Sequence, residues 1–340
     1  TSTIKSKNFT KEQSNMEDTY FTPRTDLTEL KDSIERVRGE VKKIIVGQEK
    51  VIDMMIAAVL ADGHVLIEGV PGIAKTLLAK IIARTISADF SRIQFTPDLM
   101  PSDILGTSVF NMKTSEFEFN RGPIFSNIIL IDEINRAPAK TQSALFEAME
   151  ERQVTVDGTT YKLESPFTVF ATQNPIEHEG TYKLPEAQLD RFMFKVEMDY
   201  PLPEEEIKIL LDLHSRKNIN DLNLIQPVFT KETLKQLRDK VRTAHLDEKV
   251  AGYITQIVNR TRNNSDLYLG GSPRASISIM IGAKAIAAIS GRDFVTPDDV
   301  KMVVYPTLRH RILLTPEKEM EGKTPDDIIK TILERVEVPR

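Results

Sequence analysis

The chain has 340 residues, 40% of them hydrophobic and 28% charged, which is the balance of an ordinary soluble globular protein and excludes a fibrous or wholly disordered one. Lys and Arg number 45 against 50 Asp and Glu, so the net charge of −5 supplies no global basic field for a polyanion. Cysteine is absent, which removes disulfides, thiolate metal sites and cysteine nucleophiles together.

At about 100–200 residues per domain, the length predicts two domains. Residues 1–22 are polar and without period, and read as a flexible leader. From 25 to 62 the apolar spacing is helical, through Leu27, Leu30, Ile34, Val37 and Val41, then Val51, Met54, Met55, Ala58 and Val59. A strand is expected at Val65-Leu66-Ile67-Glu68, a Gly/Pro turn after it, and a helix at 75–87. Further strands are expected at 91–95, at the wholly apolar 128–131, at 167–171 and at 192–196, with a helix at 139–151. This alternation predicts an α/β core with a parallel sheet and helices on both faces. Two hairpins interrupt it, at 107–119 and at 153–163, the second turning on Asp157-Gly158. Tyr200-Pro201-Leu202-Pro203 reads as a linker into a smaller all-α domain, with helices near 204–214, 230–243, 248–263, 274–290, 297–306 and 325–336. The expected domains are thus 23–200 and 201–340. The longest apolar runs, 51–61 and 277–289, are broken by Asp53 and Lys284, so no transmembrane helix is expected. The absence of cysteine makes the cytoplasm the expected compartment, and the N-terminus shows no apolar signal core.

The chemistry is concentrated at strand ends. Gly69-Val70-Pro71-Gly72-Ile73-Ala74-Lys75-Thr76 follows a strand and opens a helix, the context that a phosphate-binding loop requires. Backbone N–H groups there ring a β-phosphate, Lys75 reaches the β- and γ-phosphates, and the Thr76 hydroxyl holds Mg²⁺. Leu77 continues the binding segment into the helix. The pattern departs once, with Ala74 where glycine is usual; alanine is the smallest replacement, so the loop is expected to survive. Asp132-Glu133 closes the apolar strand 128–131, at the edge where open α/β sheets hold ligands. Asp132 is assigned to the Mg²⁺ surroundings and Glu133 to the attacking water. Asn174, after the strand 167–171, either positions that water or belongs to an Asn-Pro turn. Arg191 and Arg274 each stand in a short polar segment, where a solvated surface arginine is the plainer reading. The five histidines, His64, His178, His214, His245 and His310, form no metal-ligand spacing.

These motifs resemble the MoxR family of AAA+ ATPases, over about 30–310. The loop with Ala74, the stretch Gln94-Phe95-Thr96-Pro97-Asp98-Leu99-Met100-Pro101-Ser102-Asp103, the run Arg121-Gly122-Pro123-Ile124-Phe125 into Ile131-Asp132-Glu133-Ile134-Asn135-Arg136-Ala137, and Leu184 to Phe192 all carry the likeness. The resemblance implies an ATPase using ATP and Mg²⁺, with Asn174 as sensor 1, Arg191 as the arginine finger and Arg274 as sensor 2, acting in cis or in trans. It implies that Val46, Gly47 and Gln48 touch adenine, and that the hairpins are the helix-2 insert and the pre-sensor-1 hairpin. It further implies a homo-hexameric ring, a partner with a von Willebrand factor A domain, and chaperone-like remodelling or metal loading of clients. Arg121, Arg136 and Arg152 are rivals for the finger. A DNA-remodelling relative is the alternative, although the 153–163 hairpin balances Arg152 and Lys162 with Asp157 and Glu164 and is no basic finger. A GTPase would need an Asn-Lys-x-Asp guanine reader, and no Asn-Lys pair occurs.

Overall fold

The computed structural model describes residues 26–70, 72–174, 181–182, 184–215 and 222–339. The expected leader 1–22, Pro71 of the loop and His178 lie outside the described residues.

Two helices come first. α1 (Thr28–Lys42) buries Leu30, Ile34, Val37 and Val41, one stripe at helical spacing. α2 (Glu49–Leu60) is buried almost all round from Val51 onward, because it lies between the sheet and the helical half. Then β1 (Val65–Gly69), α3 (Lys75–Thr85), β2 (Phe90–Gln94), the short α4 (Pro101–Leu105), β3 (Gly106–Asn111), β4 (Glu116–Arg121), β5 (Ile128–Asp132), α5 (Ala139–Glu151), β6 (Gln153–Val156), β7 (Thr159–Lys162), β8 (Thr168–Gln173), α6 (Glu186–Leu189) and β9 (Phe194–Met198) follow. Five strands form one sheet in the order β2-β5-β8-β1-β9, with every pairing parallel. Strand periodicity divides the core in two. Ile128 and Leu130 face α1, α2, α3 and the helical half, whereas Ile129 and Ile131 face α5. Both faces of β5 are therefore covered, which is why its sequence is wholly apolar.

The hairpins stand as separate two-stranded sheets, β3–β4 and β6–β7. Asp157 and Gly158 both adopt positive φ, 49° and 77°, the conformation of a two-residue turn that follows strand twist. The hairpins meet through Phe119 stacked on Tyr161, ring centroids 4.2 Å apart.

The second half comprises α7 (Pro203–Ser215), α8 (Lys231–Arg242), α9 (Glu248–Arg262), β10 (Leu267–Leu269), α10 (Pro273–Ile289), α11 (Pro297–Leu308), β11 (Leu313–Leu314), α12 (Pro316–Met320) and α13 (Pro325–Arg335). It is helical with one addition to the sequence reading: β10 and β11 pair antiparallel. Strands of three and two residues are too short to show a period. α11 starts as its sequence dictates, with Pro297 in the first turn and Thr296 and Asp299 exchanging side-chain and backbone hydrogen bonds. α10 packs against both α1 and α2, so the N-terminal helices and the helical half share one core.

Candidate functional site

The carboxyl edge of the sheet gathers the loop and the acids. After β1, Gly72 takes φ +87° and Ala74 takes φ +64°, capping α3 in the left-handed region. The chain thus needs a left-handed residue where glycine is usual, and Ala74 holds that conformation against its own Cβ. Lys75 Nζ donates to the Gly69 carbonyl at 2.6 Å, spanning the loop that it opens.

Parallel pairing of β5 with β8 sets Ile131 beside Ala171, so the next residues, Asp132 and Thr172, meet. Thr172 Oγ1 donates to Asp132 Oδ1 at 3.2 Å and accepts from the Glu133 N–H at 3.0 Å. Thr76 Oγ1 lies 3.5 Å from Asp132 Oδ2, which also accepts from Arg92 Nε at 2.6 Å. Glu133 sits at φ +57°, turning its carboxylate off the strand direction. That carboxylate accepts from Gln94 Nε2 at 2.8 Å and pairs with Arg136 Nε at 3.2 Å. Asn174 is buried one residue beyond the end of β8. The set Lys75, Thr76, Asp132, Glu133 and Asn174 is thereby brought to one edge.

Beside the loop opens a cavity of about 690 Å³. One wall is Ile44, Val46 and Gln48, with Ile73 and Leu77 at the loop; the other is Tyr200 with Leu210 and Leu213 of α7. Gln48 Nε2 donates to the Asp199 carbonyl at 2.9 Å, which ties the elbow between α1 and α2 to the end of β9. Gly47, at φ +71°, passes so close to Glu205 that an added Cβ would lie 2.4 Å from its Oε1. The walls are mostly apolar and the loop end is polar, as a planar base carrying a polyphosphate requires.

A hydroxyl on Thr76 with a largely buried carboxylate behind it fits Mg²⁺, which keeps waters and binds through one or two carboxylates plus phosphates. Among the described residues no cluster of three or more His, Asp or Glu offers a self-sufficient metal cage.

Arg191 and Arg274 lie elsewhere. They line a second cavity, of about 330 Å³, with Gly63 and His64 at the amino end of β1. The five residues of β1 separate that edge from the loop by about 16 Å, further than an arginine side chain reaches. Both arginines converge on Glu150, near the end of α5. Arg191 donates through Nε (2.7 Å) and Nη2 to Oε2, and Arg274 Nη2 donates to Oε1 at 2.7 Å. The hydrogen bond from Arg191, then that from Arg274, hold the Glu150 carboxyl below the usual carboxylate range. Buried Arg311, just past α11, clamps the segment that carries Arg191. It donates to Asp190 Oδ1 (2.6 Å) and to the carbonyls of Asp190, Phe192 and Met193. Of the rival arginines, Arg136 is engaged at the carboxyl edge with Glu133, Arg152 donates to the carbonyls of Phe167 and Asp62, and Arg121 lies over the Phe125 ring.

Sequence reasoning missed Arg92, Gln94, Thr172, Tyr200, the apolar side of α7, Glu150 and Arg311. Thr172 had a signal, since a strand paired in parallel beside an acid-tipped strand places a residue next to that acid. Arg311 had none: an arginine in a charged stretch reads as solvated.

A model of the ATPase family associated with various cellular activities (AAA) matches residues 64–194, and an AAA lid domain model matches residues 259–332. The chaperone MoxR1 of Mycobacterium tuberculosis is 44% identical over 317 residues, 91% of this chain and 83% of that protein. The chain belongs to the MoxR family of AAA+ ATPases. An uncharacterised Bacillus subtilis relative, YeaC, is 48% identical over 299 residues, 88% of this chain and 92% of its own. The crystal structure of an ATPase candidate from Cytophaga hutchinsonii superposes with a TM-score of 0.85 at 43% identity, covering 92% of this chain and 97% of that one. The chain is accordingly an ATPase with an α/β AAA core followed by a helical lid. No helix among the described residues is long and apolar enough to cross a membrane.

Proposed function

We propose that this member of the MoxR family is a homo-hexameric, Mg²⁺-dependent ATP motor in which each active site is completed by two arginines of the adjacent subunit. The supporting observation is the separation of Lys75, Thr76, Asp132 and Glu133 on one edge of the sheet from Arg191 and Arg274 on the other. In this reading the adenine lies between Val46–Gln48 and the Tyr200–Leu213 wall. The phosphates lie along the loop from Gly69 to Thr76. Mg²⁺ offsets the charge of the β- and γ-phosphates when bound, held by Thr76 with Asp132 behind it. Glu133 orients the water, and its bonds to Gln94 and Arg136 mark the position from which it must turn. Asn174 lies at the strand tip where the water and γ-phosphate would meet. Arg191 and Arg274 face a neighbour's γ-phosphate and stabilise charge in the transition state, a contribution that arginine fingers make at about 10³–10⁵ in rate.

The work performed is chaperone-like, either remodelling a client or loading metal into it, with a von Willebrand factor A domain protein as partner. This rests on the family likeness, whose M. tuberculosis relative is named a chaperone. Mixing subunits tests the ring mechanism. Arg191→Ala and Lys75→Ala are each expected to be nearly inactive alone. A mixture creates interfaces that pair an intact loop with an intact arginine, so turnover should rise above either parent. Absence of recovery, with mixed rings demonstrated by native mass spectrometry, would reject the trans role.

A further inference from the structure

We propose that Glu150 is a positioning residue that yokes Arg191 and Arg274 into one anion-facing unit, so that the finger and the lid of a subunit approach the neighbouring ATP together. The proposal rests on the trans reading above and adds a residue to it that touches neither nucleotide.

The placement follows from α5. Its first turn lies just beyond Glu133 and Arg136, at the edge that carries the loop. Eleven residues after Ala139, about 16 Å along the axis, it delivers Glu150 to the opposite edge. There one carboxylate gathers side chains from two separate parts of the chain. Arg191 arrives from the turn between α6 and β9, and Arg274 from the first turn of α10 in the lid. Each of its oxygens serves one arginine, so the two guanidinium groups are held side by side.

Two cations placed side by side repel, and they would splay apart without an intervening anion. Glu150 offsets that repulsion and leaves the trio with a net charge of +1. The arginines are not used up by the arrangement. Arg191 Nη1, and Arg274 Nη1 and Nε, make no hydrogen bond within the described residues. Those donors remain for a phosphate presented from outside. Pre-setting two donors from two elements removes reorganisation that would otherwise accompany charge development. A purely structural ion pair is the competing explanation. All three side chains are partly exposed, and exposed pairs contribute little to stability, so that explanation predicts a nearly silent substitution.

The test uses Glu150→Gln, which keeps shape and one acceptor oxygen and removes the charge. ATP affinity is expected to stay at the parent value, because the subunit's own loop lies on the far edge. Turnover is expected to fall by about 10- to 100-fold, the scale on which slight misplacement of a reacting group acts. The decisive measurement is complementation. Glu150→Gln mixed with Lys75→Ala should regain turnover above either parent, because an intact loop of the first then faces an intact yoke of the second. Arg191→Ala mixed with Lys75→Ala runs beside it as the control. Recovery in the control without recovery for Glu150→Gln overturns the yoke and leaves the trans mechanism standing. Failure of the control, with mixed rings present, removes the mechanism and the yoke with it. Parental turnover of Glu150→Gln alone also overturns the proposal.

Discussion

Ala74 holds a left-handed backbone at the head of α3, φ +64°, with its methyl group exposed. The conformation costs an L-residue about 1–2 kcal/mol, whereas glycine adopts it freely but loses about 0.5–1 kcal/mol of chain entropy. Ala74→Gly is therefore expected to stabilise the nucleotide-free protein by roughly 0.5–1 kcal/mol, seen as a higher thermal midpoint. A lower midpoint would show that the methyl group contributes more than its strain. Glu133→Gln acts on chemistry instead: the amide keeps the shape and the contact with Gln94 but draws weakly on water. ATP should bind as in the parent while turnover stops; turnover within a few-fold of the parent would assign the base elsewhere. His64 gives a pH effect. It is fully buried, its Nδ1 accepts from the Val169 N–H at 3.0 Å, and burial, then the charge of Arg152, lowers its pKa to about 3. The folded protein keeps His64 neutral down to that pH, while the unfolded chain protonates it near 6.5. Its contribution is thus complete above pH 6.5 and is lost as pH falls from there toward 3, by up to about 1.4 kcal/mol per unit. The urea midpoint should drop between pH 7.5 and 5.5, and His64→Gln should flatten that slope; an unchanged slope would place the titration in other groups.

Among the elements, those with a strong period or strong punctuation were legible. β5 was readable from four apolar residues before an acid, α11 from its Thr-Pro-Asp-Asp start, and β6–β7 from Asp157-Gly158. The register that sets Thr172 against Asp132 was not, because strand neighbours are chosen by tertiary packing rather than by any one strand. β10 and β11 were hidden by their brevity, and α4 by a proline that reads as a turn. The β6–β7 hairpin, which pairs apart from the main sheet, yields a prediction at this scale. Its turn residues have positive φ and touch neither the loop nor the acids, so replacing Asp157 and Gly158 by Val strains the turn without reaching the site. Coupling to a client should suffer more than intrinsic ATP hydrolysis, measured as turnover with and without client. Equal loss of both would make the hairpin part of the active-site scaffold.

For the molecule as a whole, the sequence named Arg191 and Arg274 but not their distance from the phosphate loop. That distance arises from parallel strands that put every loop after a strand on one edge and every segment before a strand on the other. Arg311 adds to it by tying the segment that carries Arg191 to the end of α11. If ATP is bonded by the loop of one subunit and the arginines of the next, it belongs to the interface and must stabilise assembly by mass action. Glu133→Gln with Mg²⁺ and ATP should therefore shift to a discrete larger species in analytical ultracentrifugation, because bound nucleotide is not consumed. Adding Arg191→Ala and Arg274→Ala to that background should abolish the shift while leaving nucleotide binding to the isolated subunit in place. Lys75→Ala should abolish both. The two losses separate the near edge from the far edge: the first removes the bond across the interface, and the second removes the ligand that forms it. A ring whose mass is the same with and without nucleotide in all three proteins would mean that assembly rests on other surfaces, and that the arginines meet the phosphate only after the ring has closed.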